Sequence, residues 1–413
     1  MRVLPGDGLV AHPELSLLLL LAVAAIVAVL SERARLPYAI GLVLAGLLLG
    51  NLVSYSGPHL SKQLLFLVVL PGLLFEAAYQ MHFAEFWRAR LSILTLAVPG
   101  VIVATFLTAL LLWWGVNLLA PDSFAFIAAL VFGALISATD PISVLAIFRT
   151  LGVDSRLAVI VEAESLFNDG TAIVIFGIVL AMATGSALSI GGAVVEFARV
   201  AGLAVAVGGA LGAGIGMLMR SIDDPMVEIT LTVLTAYGAF IVAELLGISG
   251  VIACVVAGMV TGTWGARGSM SAVTRKVVEA FWSYTAFLLN SFVFLLMGVE
   301  INLAKLAHYL PQILLGWVAI NVARAAIIYT KYALMRAAGN SAWPLSWATV
   351  LTWGGLRGGL SMVLALSLPG DFTHRDLILH VTFGVVLLTL LVQGLTIKPL
   401  LRRVGLVNAG DHR

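Results

Sequence analysis

The sequence predicts an all-helical protein that crosses a lipid bilayer about thirteen times, and three observations carry that prediction. Of 413 residues, 61% are hydrophobic and 11% are charged, with a mean hydropathy of +1.08, whereas a soluble domain carries roughly 25% charged residues. Apolar runs near the ~20 residues that a bilayer core demands recur from one end of the chain to the other. Lys and Arg alternate between successive connections, sixteen on one set and five on the other, as cytoplasmic and external loops do. A water-soluble fold is excluded, and little chain is left for any other domain.

The spans follow in order, divided at charges, Pro/Gly clusters and polar runs. The first, 14–31, has the length of a secretory leader. Only Arg2 precedes it as a cation, however, and Glu32-Arg33-Ala34-Arg35 follows, a flank that suits a retained helix. Spans 37–55 and 63–80 come next. His82 to Arg90, with Phe83, Phe86 and Trp87 among charges, reads as an amphipathic turn resting on the headgroups. Then come 91–117, 123–149, 156–184, 195–219, 226–246, 248–264, 273–300, 306–335, 343–369 and 376–401, with 402–413 as a short cytoplasmic tail. The basic set of connections includes Arg33, Arg88, Arg90, Arg149, Arg156, Arg220, Arg275, Lys331, Arg336 and Arg402. This sets the N-terminus outside and the C-terminus in the cytoplasm of a multi-pass protein of the cell membrane.

Two spans are interrupted. The fifth contains Ser137-Ala138-Thr139-Asp140-Pro141 and the twelfth Gly354-Gly355-Leu356-Arg357-Gly358-Gly359. Proline lacks a backbone donor and glycine weakens a helix interior, so both spans are expected to unwind near mid-membrane. With 195–219 as a linking helix, 14–184 and 226–401 form two six-helix repeats, and each interruption falls at the fifth position of its repeat. Seven crossings separate the two starts, so the repeats run in opposite senses, as in inverted-repeat transporters.

Ionisable residues deep in a bilayer are expensive and by default functional. Those inside the spans are Glu76, Asp140, Glu164, Asp169, Glu244, Arg324 and Arg357. In span 156–184, Ser165 and Asp169 share one helix face while Glu164 and Asn168 share another. The first face is rich in oxygen and suits a hard alkali cation; the second suits bracing of the interrupted spans. Asp140 and the freed carbonyl of Thr139 can line the same site, and Asp140 equally suits capping of the half-helix that begins at Pro141. A carboxylate removed from water holds either a proton or a compensating cation near neutral pH, which makes Asp169 the candidate exchange residue. Arg357 is the expected counter-charge for Glu164 or Asp140. Glu76 reads either as a further ligand or as a buried helix acid, Arg324 is a weaker signal, and Glu244 belongs to the outer interface. The lone Cys254 and the absence of HxxxH or HExxH spacing leave no zinc or thiolate site, and no cofactor is expected. The net charge of +2 gives no sign of a nucleic-acid partner.

Together, Ser137-Ala138-Thr139-Asp140-Pro141, Glu164-Ser165-Leu166-Phe167-Asn168-Asp169-Gly170, the upstream Phe75-Glu76-Ala77-Ala78 and the downstream Gly355-Leu356-Arg357-Gly358-Gly359 resemble the NhaP-type Na+/H+ antiporters, relatives of the eukaryotic sodium/proton exchangers. The likeness continues through Ser249-Gly250-Val251 and Asn290-Ser291-Phe292. It implies a thirteen-helix NhaA-like fold and a homodimer in which a core domain moves like an elevator against a dimer domain. It further implies Na+ at Asp169, Ser165 and the Thr139 backbone with Glu76 nearby, braced by Asp140, Glu164, Asn168 and Arg357. Asn168 stands where the electrogenic branch has a second aspartate, which implies electroneutral exchange. The short tail implies no soluble regulatory module. Rival readings are a K+/H+ exchanger on the same fold, a cation channel, for which no repeated filter is present, and an intramembrane aspartyl protease using Asp140 and Asp169.

Overall fold

Breaks in an apolar chain dictate the architecture. The computed structural model describes residues 13–34, 36–52, 60–186, 189–265, 270–339 and 343–407; Arg2, Arg35, Arg267 and residues 408–413 of the expected tail lie outside them. The described residues form helices joined by turns and short non-helical segments, with no strand among them. The helices are α1 (Pro13–Ala34), α2 (Tyr38–Leu52), α3 (Lys62–Gln80), α4 (Phe83–Leu119), α5 (Phe126–Ile136), α6 (Ile142–Leu151), α7 (Ser155–Ala183) and α8 (Ile190–Met219). They continue with α9 (Pro225–Leu245), α10 (Gly250–Val260), α11 (Ala272–Glu300), α12 (Leu303–His308), α13 (Leu310–Ala337), α14 (Leu345–Trp353), α15 (Gly359–Leu366) and α16 (Arg375–Arg403). Eight are long and apolar enough to cross a bilayer, and shorter apolar helices accompany them.

Local chemistry sets the helix starts. Ser61, Asp154, Ser189, Asp224, Ser249, Ser271 and Asn302 each accept a backbone N–H from the first turn of the helix they precede, satisfying donors that a helix start leaves free. At the head of α7, the hydrogen bonds of Arg156 hold the Asp154 carboxyl below the usual carboxylate range. Gly152, at φ +65°, ends α6 in the left-handed conformation that glycine adopts without strain.

Two expectations need correction. His82 to Arg90 is not a turn, since Phe83 already begins α4, which runs to Leu119. Phe86 is buried and stacks on Phe167 of α7, 5.6 Å between ring centroids, so apolar contact with the bundle carries this segment into the helix. The expected eleventh span, 306–335, is divided, because α12 ends at His308 and α13 starts at Leu310. The interruptions in the fifth and twelfth spans are present, as α5/α6 and α14/α15. Single π-turns sit within α3 (Leu65–Val69), α4 (Leu96–Gly100) and α16 (Thr389–Gln393), and another, Thr261–Gly265, continues α10. Such turns recur at functional sites.

Packing rests on small residues, as expected where lipid supplies little hydrophobic drive between helices. One close crossing is that of α2 and α11. A Cβ at Gly46 would overlap the carbonyl oxygen of Leu295, and one at Gly298 that of Val43. Two backbones thus touch with no side chain between them. Gly46→Val or Gly298→Val should destabilise by about 1–3 kcal/mol or more through overpacking, read as a lowered unfolding midpoint of the detergent-purified protein. Gly177→Ala, with nothing within 4 Å of the added carbon, should leave the midpoint unchanged.

Candidate ion site

In lipid every backbone polar group of an unwound segment must find a partner inside the protein, and the two breaks supply much of that to each other. Asp140 N–H donates to the Leu356 carbonyl at 2.8 Å, which fixes the crossing of the α5/α6 break with the α14/α15 break. Arg357 Nη1 donates to the carbonyls of Ser137 (2.7 Å) and Ala138 (3.1 Å), and Arg357 N–H donates to Thr389 Oγ1 (3.1 Å) in the π-turn of α16. Gly358 sits so close that a Cβ there would overlap Asp140 Oδ2. Asp140 Oδ1 in turn accepts Ile142 N–H at 3.0 Å, capping α6.

The helix α7 runs past this crossing and presents its two polar faces to adjacent sides, with Ser165 and Asn168 both reaching Thr139. Toward the crossing, Ser165 Oγ donates to the Thr139 carbonyl, and Thr139 Oγ1 lies 3.3 Å from Ser165 Oγ. Asn168 bonds Thr139 twice, donating from Nδ2 to Oγ1 (2.6 Å) and accepting Thr139 N–H at Oδ1 (3.3 Å). On the other side Glu164 makes a bidentate ion pair with Arg324 of α13, Nη1 to Oε1 and Nη2 to Oε2, both 2.9 Å. Arg324 Nε donates to the last-turn carbonyl of Leu351 in α14 (2.8 Å). Arg357 therefore does not pair with Glu164 or Asp140 at ion-pair distance; it holds carbonyls, and Arg324 takes the carboxylate. The planar fork of arginine favours that bidentate geometry.

A cavity of about 340 Å³ lies over the first face of α7. Thr139, Asp140, Pro141, Ser165 and Asp169 line one part of it, while Arg149 and Glu162 line it near the turn that joins α6 to α7. Glu162 stands two turns from Asp169, about 10 Å along the helix. Glu76 lines the same cavity and accepts Gln80 Nε2 at 2.8 Å, and Gln80 also donates to Ser283 of α11. Asp169 Oδ1 is buried and accepts no hydrogen bond, in contrast to the fully engaged Glu164. A much smaller pocket, of about 20 Å³, lies on the other face among Glu164, Asn168, Arg324 and Arg357. The geometry thus separates an oxygen-lined cavity from a closed brace.

The chain matches the transmembrane sodium/hydrogen exchanger family over residues 18–403. It belongs to that family. It is 39% identical over 402 residues to the Na(+)/H(+) antiporter ApNhaP of Aphanothece halophytica, covering 96% of this chain and 75% of that one. To the Na(+)/H(+) antiporter NhaP of Pseudomonas aeruginosa it is 39% identical over 340 residues, covering 81% and 80%. The fold of the sodium proton antiporter MjNhaP1 from Methanocaldococcus jannaschii superposes with a TM-score of 0.76 at 21% identity, over 94% of this chain and 98% of that one. The chain shares this family's multi-pass helical fold.

For this exchanger-family chain, sequence reading missed several cavity residues. Arg149 was expected in a loop but is the last-turn cation of α6. Glu162, Ser283 and Asn290 also line the cavity. The spacing of seven between Ser283 and Asn290, which puts them two turns apart on one face of α11, is the available signal. Glu244, assigned to the outer interface, accepts Gly250 N–H at the start of α10 (3.1 Å).

Two outcomes are expected of the brace. Glu164→Gln or Arg324→Met, each leaving a buried partner uncompensated, should destabilise by about 3–5 kcal/mol, while the double change Glu164→Leu/Arg324→Met should recover much of the loss in thermal unfolding. Gly358→Ala, which forces the Asp140 carboxylate away, should abolish transport in vesicles while the protein still purifies as a folded species.

Proposed function

We propose that the chain is a secondary antiporter that exchanges Na+ for H+ across the cell membrane, with both ions competing for Asp169. The observation that carries this reading is the unbonded, buried carboxylate oxygen of Asp169 in a cavity it shares with Ser165 and Thr139. These groups offer carboxylate, hydroxyl and carbonyl oxygens, the donor set that a hard monovalent cation requires. The Na(+)/H(+) antiporter names of the two relatives point to the same ion pair.

The charges argue for one-for-one, electroneutral exchange. Glu164 is paired with Arg324, and the charges of Asp140 and Arg357, though not an ion pair, sum to zero at the crossing, which leaves Asp169 as the remaining carboxylate there for a single Na+ or a single H+ to neutralise. Crossing with Asp169 empty and ionised is blocked by the energy of moving an unpaired charge into low dielectric. Thirteen crossings follow if each pair of half-helices, α5/α6 and α14/α15, forms one span. The N-terminus is then outside and the C-terminus cytoplasmic, and the turn between α6 and α7, with Arg149 and Arg156, is cytoplasmic. The cavity accordingly faces the cytoplasm. Alternating access by an elevator movement of the core, in a homodimer, completes the proposal.

The test is reconstitution in liposomes with a trapped pH dye and an imposed Na+ gradient, the voltage clamped by valinomycin and K+. Sodium-driven pH change that survives the clamp in wild type and vanishes in Asp169→Asn is the expected result. Under competition, the apparent Na+ constant should rise as pH falls, approaching about tenfold per pH unit where the site is mostly protonated, since one proton is displaced per ion. A constant independent of pH would overturn the shared site. Absence of Na+ response with a K+ response in the same vesicles would assign the chain to K+/H+ exchange.

A further inference from the structure

A second, larger cavity shares no lining residue with that of Asp169. It is a groove of about 510 Å³ between α4 and α13, apolar along most of its length, with Lys331 projecting into it. Its wall is shaped by the π-turn Leu96–Gly100, where Pro99 removes a donor and Gly100 presents no side chain. The helices beside it expose Leu91, Val103 and Leu334, as surfaces facing acyl chains do. Lys331 Nζ donates to the Ser92 carbonyl (2.7 Å) and to Thr95 Oγ1, and stands 5.4 Å from the centre of the Trp343 ring. Among the described residues no carboxylate lies within ion-pair distance of it, so its charge is solvated by dipoles alone. Sequence reading counted Lys331 with the basic loops, but it lies within α13, which continues to Ala337. At the same end, Arg88 is exposed one turn beyond the lining residue Leu91, while Arg336 turns to the other face of α13 and donates to Tyr332 Oη at 3.0 Å.

We propose that this groove is a binding site for one anionic phospholipid, its acyl chain lying along Pro99 and Gly100 and its headgroup phosphate held between Lys331 and Arg88. Basic pockets between transmembrane helices take anionic headgroups, and each basic residue near the surface contributes about 1 kcal/mol. The ammonium has three donors, and two are committed. The third, together with the exposed Arg88 guanidinium, supplies the complementarity that a zwitterionic lipid exploits less. The bound chain packs on Leu96, Gly100 and Ile327, which on their other side wall the pocket of Glu164, Arg324 and Arg357. Lipid in the groove therefore backs the brace.

The full-length chain is exchanged into detergent micelles with equal amounts of phosphatidylglycerol and phosphatidylcholine, and the retained lipid is counted per chain by native mass spectrometry. About one phosphatidylglycerol per chain is expected, in preference to phosphatidylcholine. Lys331→Gln should lower that preference about fivefold, the factor equivalent to one basic residue near the surface. Because Lys331 also ties α13 to α4, Ala326→Trp provides an independent arm, filling the exposed groove and expelling the lipid while both basic residues stay. Equal retention of the two lipids, or retention unchanged by Ala326→Trp, would overturn the site. So would a disulfide-linked dimer through Val103→Cys, which would show a second copy covering the groove; the native Cys254 is buried and does not interfere.

Discussion

Two unwound segments meet in the middle of this protein, and the demand that their backbone groups be satisfied away from water governs much of what surrounds them. A break in one helix would strand carbonyls and amides in hydrocarbon at several kcal/mol each. Crossing a second break over the first turns that liability into a lattice, with Asp140 N–H on Leu356 and Arg357 on the Ser137 and Ala138 carbonyls. The glycines around Arg357 follow from the same demand, since at Gly358 the Asp140 carboxylate leaves no space for a side chain.

The ion pair of Glu164 and Arg324 plays a different part. It joins α7 to α13 and, through Arg324 Nε, to the end of α14. Fully bonded carboxylates and guanidinium groups have little reason to change partner or protonation state. Asp169 differs because its environment withholds donors from it. The contrast between the two acids comes from which face of one helix each occupies, and that is why neighbouring residues of the same chemical type can be assigned opposite tasks.

Much of this could be read in the sequence. Breaks at Thr139-Asp140-Pro141 and at the glycines flanking Arg357 are visible as interruptions of apolar runs, and the two faces of α7 follow from a period of 3.6. Helical spacing, however, gives depth and face along one helix and says nothing of which neighbour stands opposite. For that reason Arg357 was matched to Glu164 when Arg324, on a helix distant in sequence, is the partner. The same blindness hid Ser283 and Asn290, because α11 reaches the cavity only through tertiary packing. Residues 83–90 were misjudged because their charges suggest an interface, while the stacking of Phe86 on Phe167 draws them into the bundle.

The interleaving of Glu164, Ser165, Asn168 and Asp169 on one helix makes the cavity floor inseparable from its scaffold. No rotation or slide of α7 can shift Ser165 and Asp169 without dragging the pair to Arg324 and the clasp on Thr139. The opposite wall, supplied by Glu76 of α3 and by Ser283 and Asn290 of α11, carries no such obligation. Diversification of ion preference among similar chains, whether by selection or by redesign, thus has a permissive surface facing an immutable one, and variation belongs on α3 and α11.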